Sequence, residues 1–266
     1  MRLIKSVLII LTLFSACNKK KDFLDIKILG HAGMGLSIQN SFYHDNSLES
    51  IDLALSMDGC DGVEVDVQMS KDNTLWLYHD PFLENQTNLS GCIADKNNDE
   101  LSNAKYKSMH KEKLIRLDEI DFNKLQNKFL LLDIRHFNNC LNTSVNINDF
   151  VASLIALNLS SEIKIRVILK NSSWINNFTN SGFEVIYEAF DLADWNNTIS
   201  IYQHLKGLII KNADITKTQL NEVKTNQKEV YLFEMRAPKS IKKALLKKPD
   251  AIITDDLRAS ILEKYK

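Results

Sequence analysis

From Ile26 onward, short runs of β-branched and aliphatic residues alternate with stretches whose apolar positions recur every three or four residues. The runs Ile26–Leu29, Val63–Met69, Leu75–Tyr78, Phe129–Ile134 and Ile163–Leu169 predict strands, as do Val185–Tyr187, Leu208–Ile210, Val230–Phe233 and Ala251–Ile253. Most of the intervals read as amphipathic helices. In Ser47–Met57, for example, Leu48, Ile51 and Leu55 share one face, Gly59 follows as a stop, and Asn46 with Glu49 fits a capping box. Repeated strand-helix units call for a parallel sheet covered by helices. Nine strand candidates over residues 26–266 match a single (β/α)8 barrel of about 250 residues, with one strand to spare. The spare is expected beside the Ser70-Lys71-Asp72-Asn73 turn. An open doubly wound sheet is the alternative, but no Gly-rich phosphate loop follows the first strand. The stretch 84–113, rich in Asn, Lys and Ser, reads as a loop or small insertion within this one domain.

Composition narrows the class. With 44% hydrophobic and 25% charged residues among 266, and only 8 Gly and 3 Pro, the chain is neither collagen-like nor largely disordered. Lys and Arg number 33 against 34 Asp and Glu, which offers no electrostatic case for nucleic acid as a partner. Arg2 and Lys5 precede the apolar run Val7–Phe14, and Ser15-Ala16-Cys17 closes it: a secretory signal over residues 1–16. The run is shorter than the roughly 20 residues of a membrane span. Phe14-Ser15-Ala16-Cys17 also resembles the lipobox of bacterial lipoproteins, which implies a lipid on Cys17, a tether over 17–25 and a place in the cell envelope, periplasmic or outer-surface. A secreted protein without lipid is the alternative. Cys60, Cys92 and Cys140 are an odd number without metal-site spacing; they allow at most one disulfide and read as structural.

Four clusters at predicted strand ends carry the chemistry. Gly30-His31-Ala32-Gly33 follows the first strand. In Gly62-Val63-Glu64-Val65-Asp66-Val67, alternation puts the valines on one face and both carboxylates on the other, where they can grip one divalent cation. Tyr78-His79-Asp80-Pro81 delivers a second His, and Leu132-Asp133-Ile134-Arg135 an acid and a base. Each has a bland reading alone: a solvated strand face, a satisfied His, a turn, or a salt bridge worth about 0–1 kcal/mol. Their joint occurrence at strand ends, where barrel active sites lie, favours a site.

Gly30-His31-Ala32-Gly33, Asn46-Ser47-Leu48-Glu49, the Glu64/Asp66 strand, Ser70-Lys71-Asp72 and His79-Asp80-Pro81 resemble, in order and spacing, the glycerophosphodiester phosphodiesterase family. Weaker echoes follow at Leu117-Asp118-Glu119, Leu132–Arg135 and Ala251–Asp255. The resemblance implies a (β/α)8 barrel hydrolysing phosphodiesters with a divalent metal, Ca2+ or Mg2+, with Mn2+ also suited. It implies Glu64, Asp66 and Asp133 as metal ligands, His31 and His79 as catalytic residues, and Asn46 and Asp80 in support. Asp133 stands where the family usually has Glu, and Arg135 where it usually has Lys.

Two departures bear on substrate. Ala32 replaces the Arg of the family's His-Arg-Gly motif, and Phe233-Glu234-Met235-Arg236 replaces Trp-Thr-Val-Asn. With that Arg gone, Arg135, Lys170, Lys211 and Arg236 are the candidates for phosphate binding, because their strand ends converge on one barrel face. The expected reaction releases an alcohol from a small phosphodiester, with either His as acid or base. Rival readings are a phospholipase-type enzyme on lysophospholipid or phosphoinositol head groups, a surface lipoprotein that binds phosphodiesters without turnover, and a barrel glycosidase using Glu64. The last leaves both histidines unexplained.

Overall fold

Strands with apolar residues on both faces need cover on both sides, and a sheet closed on itself and wrapped in helices supplies it. The computed structural model describes residues 23–36, 42–135, 140 and 145–266; the signal segment and Cys17 lie outside them. Its strands are β1 (Lys27–Gly30), β2 (Gly62–Met69), β3 (Leu75–Leu77), β4 (Phe129–Ile134), β5 (Lys164–Leu169), β6 (Val185–Glu188), β7 (Gly207–Lys211), β8 (Glu229–Phe233) and β9 (Ala251–Thr254). Eight of them pair in parallel in the order β1-β9-β8-β7-β6-β5-β4-β2, and a β1–β2 pairing closes the ring. The spare strand is β3, which runs antiparallel on β2 with Val67 opposite Leu77. The fold is the expected (β/α)8 barrel.

Helices α1 (Leu48–Ser56), α3 (Ile147–Ala156), α4 (Ile175–Thr179), α5 (Leu192–Ile201), α6 (Lys217–Thr225), α7 (Pro238–Lys247) and α8 (Leu257–Tyr265) follow every barrel strand except β2. None is long and apolar enough to cross a membrane. Val63, Val65 and Val67 of β2 and Leu130 and Leu132 of β4 point outward and join Ile51 and Leu55 of α1 and Phe150 of α3 in one core shell. The opposite faces send Leu29, Leu131, Ile168, Ile186, Ile209, Tyr231, Ala251 and Ile253 into the barrel centre. Phe23, within the expected tether, is 3% exposed and packs into the outer shell, so the packed chain already includes it.

Two local expectations shift. Helix α1 is capped by Ser47, whose side chain accepts from the Ser50 N–H, and not by Asn46. Asn46 has a left-handed backbone (φ 58°) and its amide is committed elsewhere, to Asp66. The polar stretch after β3 is also more ordered than its composition suggests. It contains the short helix α2 (Asn98–Leu101), and Leu83, Ile93, Leu101, Ala104 and Tyr106 form a satellite core with Trp76 and Tyr78.

A Cys92–Cys140 disulfide fastens this insertion to the segment after β4, leaving Cys60 buried as a thiol. Its partners are 48 residues apart. Closing a loop of that length in the unfolded chain stabilises the fold by about 4 kcal/mol in the chain-entropy model. Cys92→Ser is therefore expected to lower the denaturant midpoint, and reductant to do the same to the wild type. Equal midpoints with and without reductant would show that the bond constrains nothing.

Candidate active site

Strand periodicity builds the mouth of the barrel from its middle. Two residues beyond six of the eight central side chains, on the same face, comes a polar one: Asp133 after Leu131, Lys170 after Ile168, Glu188 after Ile186, Lys211 after Ile209, Asp255 after Ile253 and His31 after Leu29. They line a cavity of about 230 Å3 together with Glu64, His79, Arg135, Glu234 and Arg236. Of the residues expected at the site, Asp66 lies fully buried beside this cavity, bonded to Asn46, and Asp80 holds the lining His79 from behind.

The turn that aims His31 depends on its glycines. A Cβ on Gly30 would fall 1.9 Å from the Gly33 carbonyl oxygen, and Gly33 itself adopts φ 95° against the backbone of α1. Ala32 turns with it, at φ 47°, and its N–H donates to Glu64 Oε2 at 3.0 Å. His31 Nδ1 bonds Asp255 Oδ1 at 2.8 Å, and its Nε2 lies 3.8 Å from Glu64 Oε2. Burial alone would lower the His31 pKa, but the Asp255 bond and the charges of Glu64, Asp255 and Asp66 raise it to about 9. His79 is held in parallel fashion: its Nδ1 bonds Asp80 Oδ1 at 2.7 Å, and Gln68 braces the turn by donating to the Tyr78 and Asp80 carbonyls.

Glu64, Asp66 and Asp133 bring carboxylate oxygens within 4.8 Å of one another, all buried. Glu64 Oε1 and Asp133 Oδ1 have no hydrogen-bond donor. Buried oxygens left in that state are costly, and an oxygen-seeking divalent cation would satisfy both. The donor set therefore fits the metal that the sequence implies. Asp66 differs: Asn46 Nδ2 donates to its Oδ2 at 2.7 Å, and Arg135 Nε to its Oδ1 at 2.6 Å. Burial would raise Asp66, but Arg135 and His79 hold it below the usual carboxylate range. Burial and the Asp66 charge push Glu64 up.

The four cations expected to bind phosphate all line the cavity, each beside an acid. Arg135 Nη2 lies 2.5 Å from Asp66 and 2.9 Å from Asp133. Lys170 pairs with Glu188 at 3.2 Å, Lys211 with Glu234 at 3.3 Å, and Arg236 with Asp255 at 3.4 Å. Glu188 and Asp255 have no role in the sequence reading. Their signal was the same-face, two-residue step beyond Ile186 and Ile253.

The model of the glycerophosphoryl diester phosphodiesterase family matches residues 31–206, roughly two thirds of the chain. The chain belongs to that family. As a member it is a phosphoric diester hydrolase. A glycerophosphodiester phosphodiesterase of Bacillus altitudinis is 26% identical over 257 residues, covering 90% of this chain and 99% of that one. In fold, the chain is similar to an Oleispira antarctica phosphodiesterase crystallised with the product sn-glycerol-3-phosphate (TM-score 0.73, 18% identity, 90% and 96% of the two chains). It is likewise similar to a glycerophosphodiester phosphodiesterase from Agrobacterium tumefaciens (TM-score 0.70, 17% identity, 89% and 99%). The family match ends before β7, so Lys211, Arg236 and Asp255 lie beyond the matched segment.

Proposed function

We propose that the protein hydrolyses glycerophosphodiesters, with Glu64, Asp66 and Asp133 holding a divalent cation and His31 and His79 moving the protons. The observation that carries this reading is the pair of donorless carboxylate oxygens, Glu64 Oε1 and Asp133 Oδ1, in a cavity shared by two histidines, each held through Nδ1 by an aspartate. A cation held there would offset the charge building up on the phosphate oxygens. His31, kept cationic by Asp255 and Glu64, is the acid that protonates the departing alkoxide. His79, with Nδ1 bonded to Asp80, accepts the proton of the reacting hydroxyl at Nε2; that hydroxyl belongs to water or to a neighbouring carbon of the substrate. Lys170, Lys211 and Arg236 ring the mouth and draw in the anionic diester, which makes up for the charge absent at Ala32. The sn-glycerol-3-phosphate of the Oleispira neighbour supports a glycerol arm.

The test is a panel of glycerophosphocholine, glycerophosphoinositol, a lysophospholipid and a chromogenic phosphodiester, each with Ca2+, Mg2+, Mn2+ or chelator. Metal-dependent release of alcohol from a glycerophosphodiester is the expected result. Binding without turnover on every member would leave a phosphodiester-binding lipoprotein, and turnover of the lysophospholipid alone a phospholipase. We further propose that Cys17 is lipidated and anchors the enzyme in the bacterial envelope. Cys17→Ser is then expected to move the protein from the membrane to the soluble fraction. Unaltered partitioning, with no acyl mass on the wild type, would reject the anchor.

A further inference from the structure

Three buried carboxylates within 4.8 Å of one another repel strongly, and the chain answers with a cation of its own. Arg135 spans two of them, with Nε 2.6 Å and Nη2 2.5 Å from Asp66 Oδ1 and Nη2 2.9 Å from Asp133 Oδ2. Its side chain is 12% exposed, at the cavity wall. We propose that Arg135 is the internal counter-ion of the metal-free site and competes with the metal, so that metal binding takes Asp66 from the guanidinium. This inference rests on the metal reading above.

The bonding of the three acids supports it. The second oxygen of Asp66, Oδ2, is occupied by the Asn46 amide, and Asn46 is tied to β2 again by the Asp66 N–H at 3.0 Å. The other oxygen, Oδ1, receives two guanidinium contacts, so a cation that takes Asp66 by this atom displaces Arg135 from it. Glu64 Oε1 and Asp133 Oδ1 are open by contrast, so a cation has two ligands that cost no existing bond. A third ligand from Asp66 sets the ion against Arg135. At about 5 Å, even with the dielectric of bulk water, a dication and a guanidinium repel by an amount equivalent to about tenfold in affinity. The Arg at this position therefore balances the acids when no metal is bound and limits how tightly the metal is held. A freed guanidinium remains at the cavity wall, available to an anion only once the metal is in place.

The experiment is calorimetric titration of metal-stripped protein with Ca2+, Mg2+ and Mn2+ at about pH 8.5, comparing wild type with Arg135→Met, which removes the charge without adding a ligand. The variant is expected to bind at least about tenfold more tightly. Equal or weaker binding overturns the proposal. A second measurement needs only wild-type protein: the 15N side-chain resonance of Arg135 Nε, assigned by its loss in Arg135→Lys, is expected to shift when metal is added. A resonance that stays put while metal binds overturns the competition and leaves the metal reading standing. If wild type and variant both fail to bind any of the three metals Ca2+, Mg2+ and Mn2+, the metal reading falls and the competition with it.

Discussion

Replacing His31 or His79 by alanine is expected to lower kcat by about 10²–10⁴, the usual worth of one positioned proton-transfer group. The two losses arise differently, and pH separates them. His31 is raised to about 9, so its acid form persists through neutrality and is lost as pH rises through that value. Activity should therefore fall on the alkaline side, with a bound cation beside Glu64 moving the limb lower. Asp255→Asn keeps an acceptor for His31 Nδ1 but removes the charge, and should shift the alkaline limb toward the ordinary His value near 6.5. A merely structural role for Asp255 would reduce activity at every pH without moving the limb. Full turnover by His31→Ala or His79→Ala would remove that imidazole from proton transfer.

Much of this site could be read along the chain because a strand has a period of two. Val63, Val65 and Val67 turned outward and Glu64 and Asp66 inward without any knowledge of the third dimension. Which strands would lie side by side was legible only as a consequence of barrel closure. The β1–β2 pairing that sets His31 against Glu64 joins segments some 30 residues apart. The His31–Asp255 bond spans 224 positions, and no local pattern announces it. Asn46 was misread for a related reason: its spacing to Glu49 fits a cap, but Asp66, met across the barrel wall, is the better partner. The insertion hid its core because Leu83, Ile93, Leu101, Ala104, Tyr106 and Leu114 are scattered among Asn, Lys and Ser with no regular period. The odd cysteine count limited the disulfides to one without naming the pair.

The other large effect is expected from Glu64. Of the three acids, Glu64 alone makes no contact with Arg135, and its one close cationic neighbour is His31 Nε2 at 3.8 Å. Glu64→Gln keeps the shape and an oxygen able to accept from the Ala32 N–H, but it removes the charge that a cation requires. If the cation contributes the several kcal/mol of transition-state stabilisation typical of such sites, kcat should fall by about 10³, and calorimetry should show metal binding weakened in step. Stability is expected to move the other way. The metal-free wild type buries a carboxylate with one donorless oxygen beside two like charges, so the neutral amide should melt at the same temperature or higher in chelator. This opposition separates a ligand from a structural acid. Loss of activity together with a lower melting temperature in chelator would place Glu64 in the framework of the barrel and take it out of the metal site.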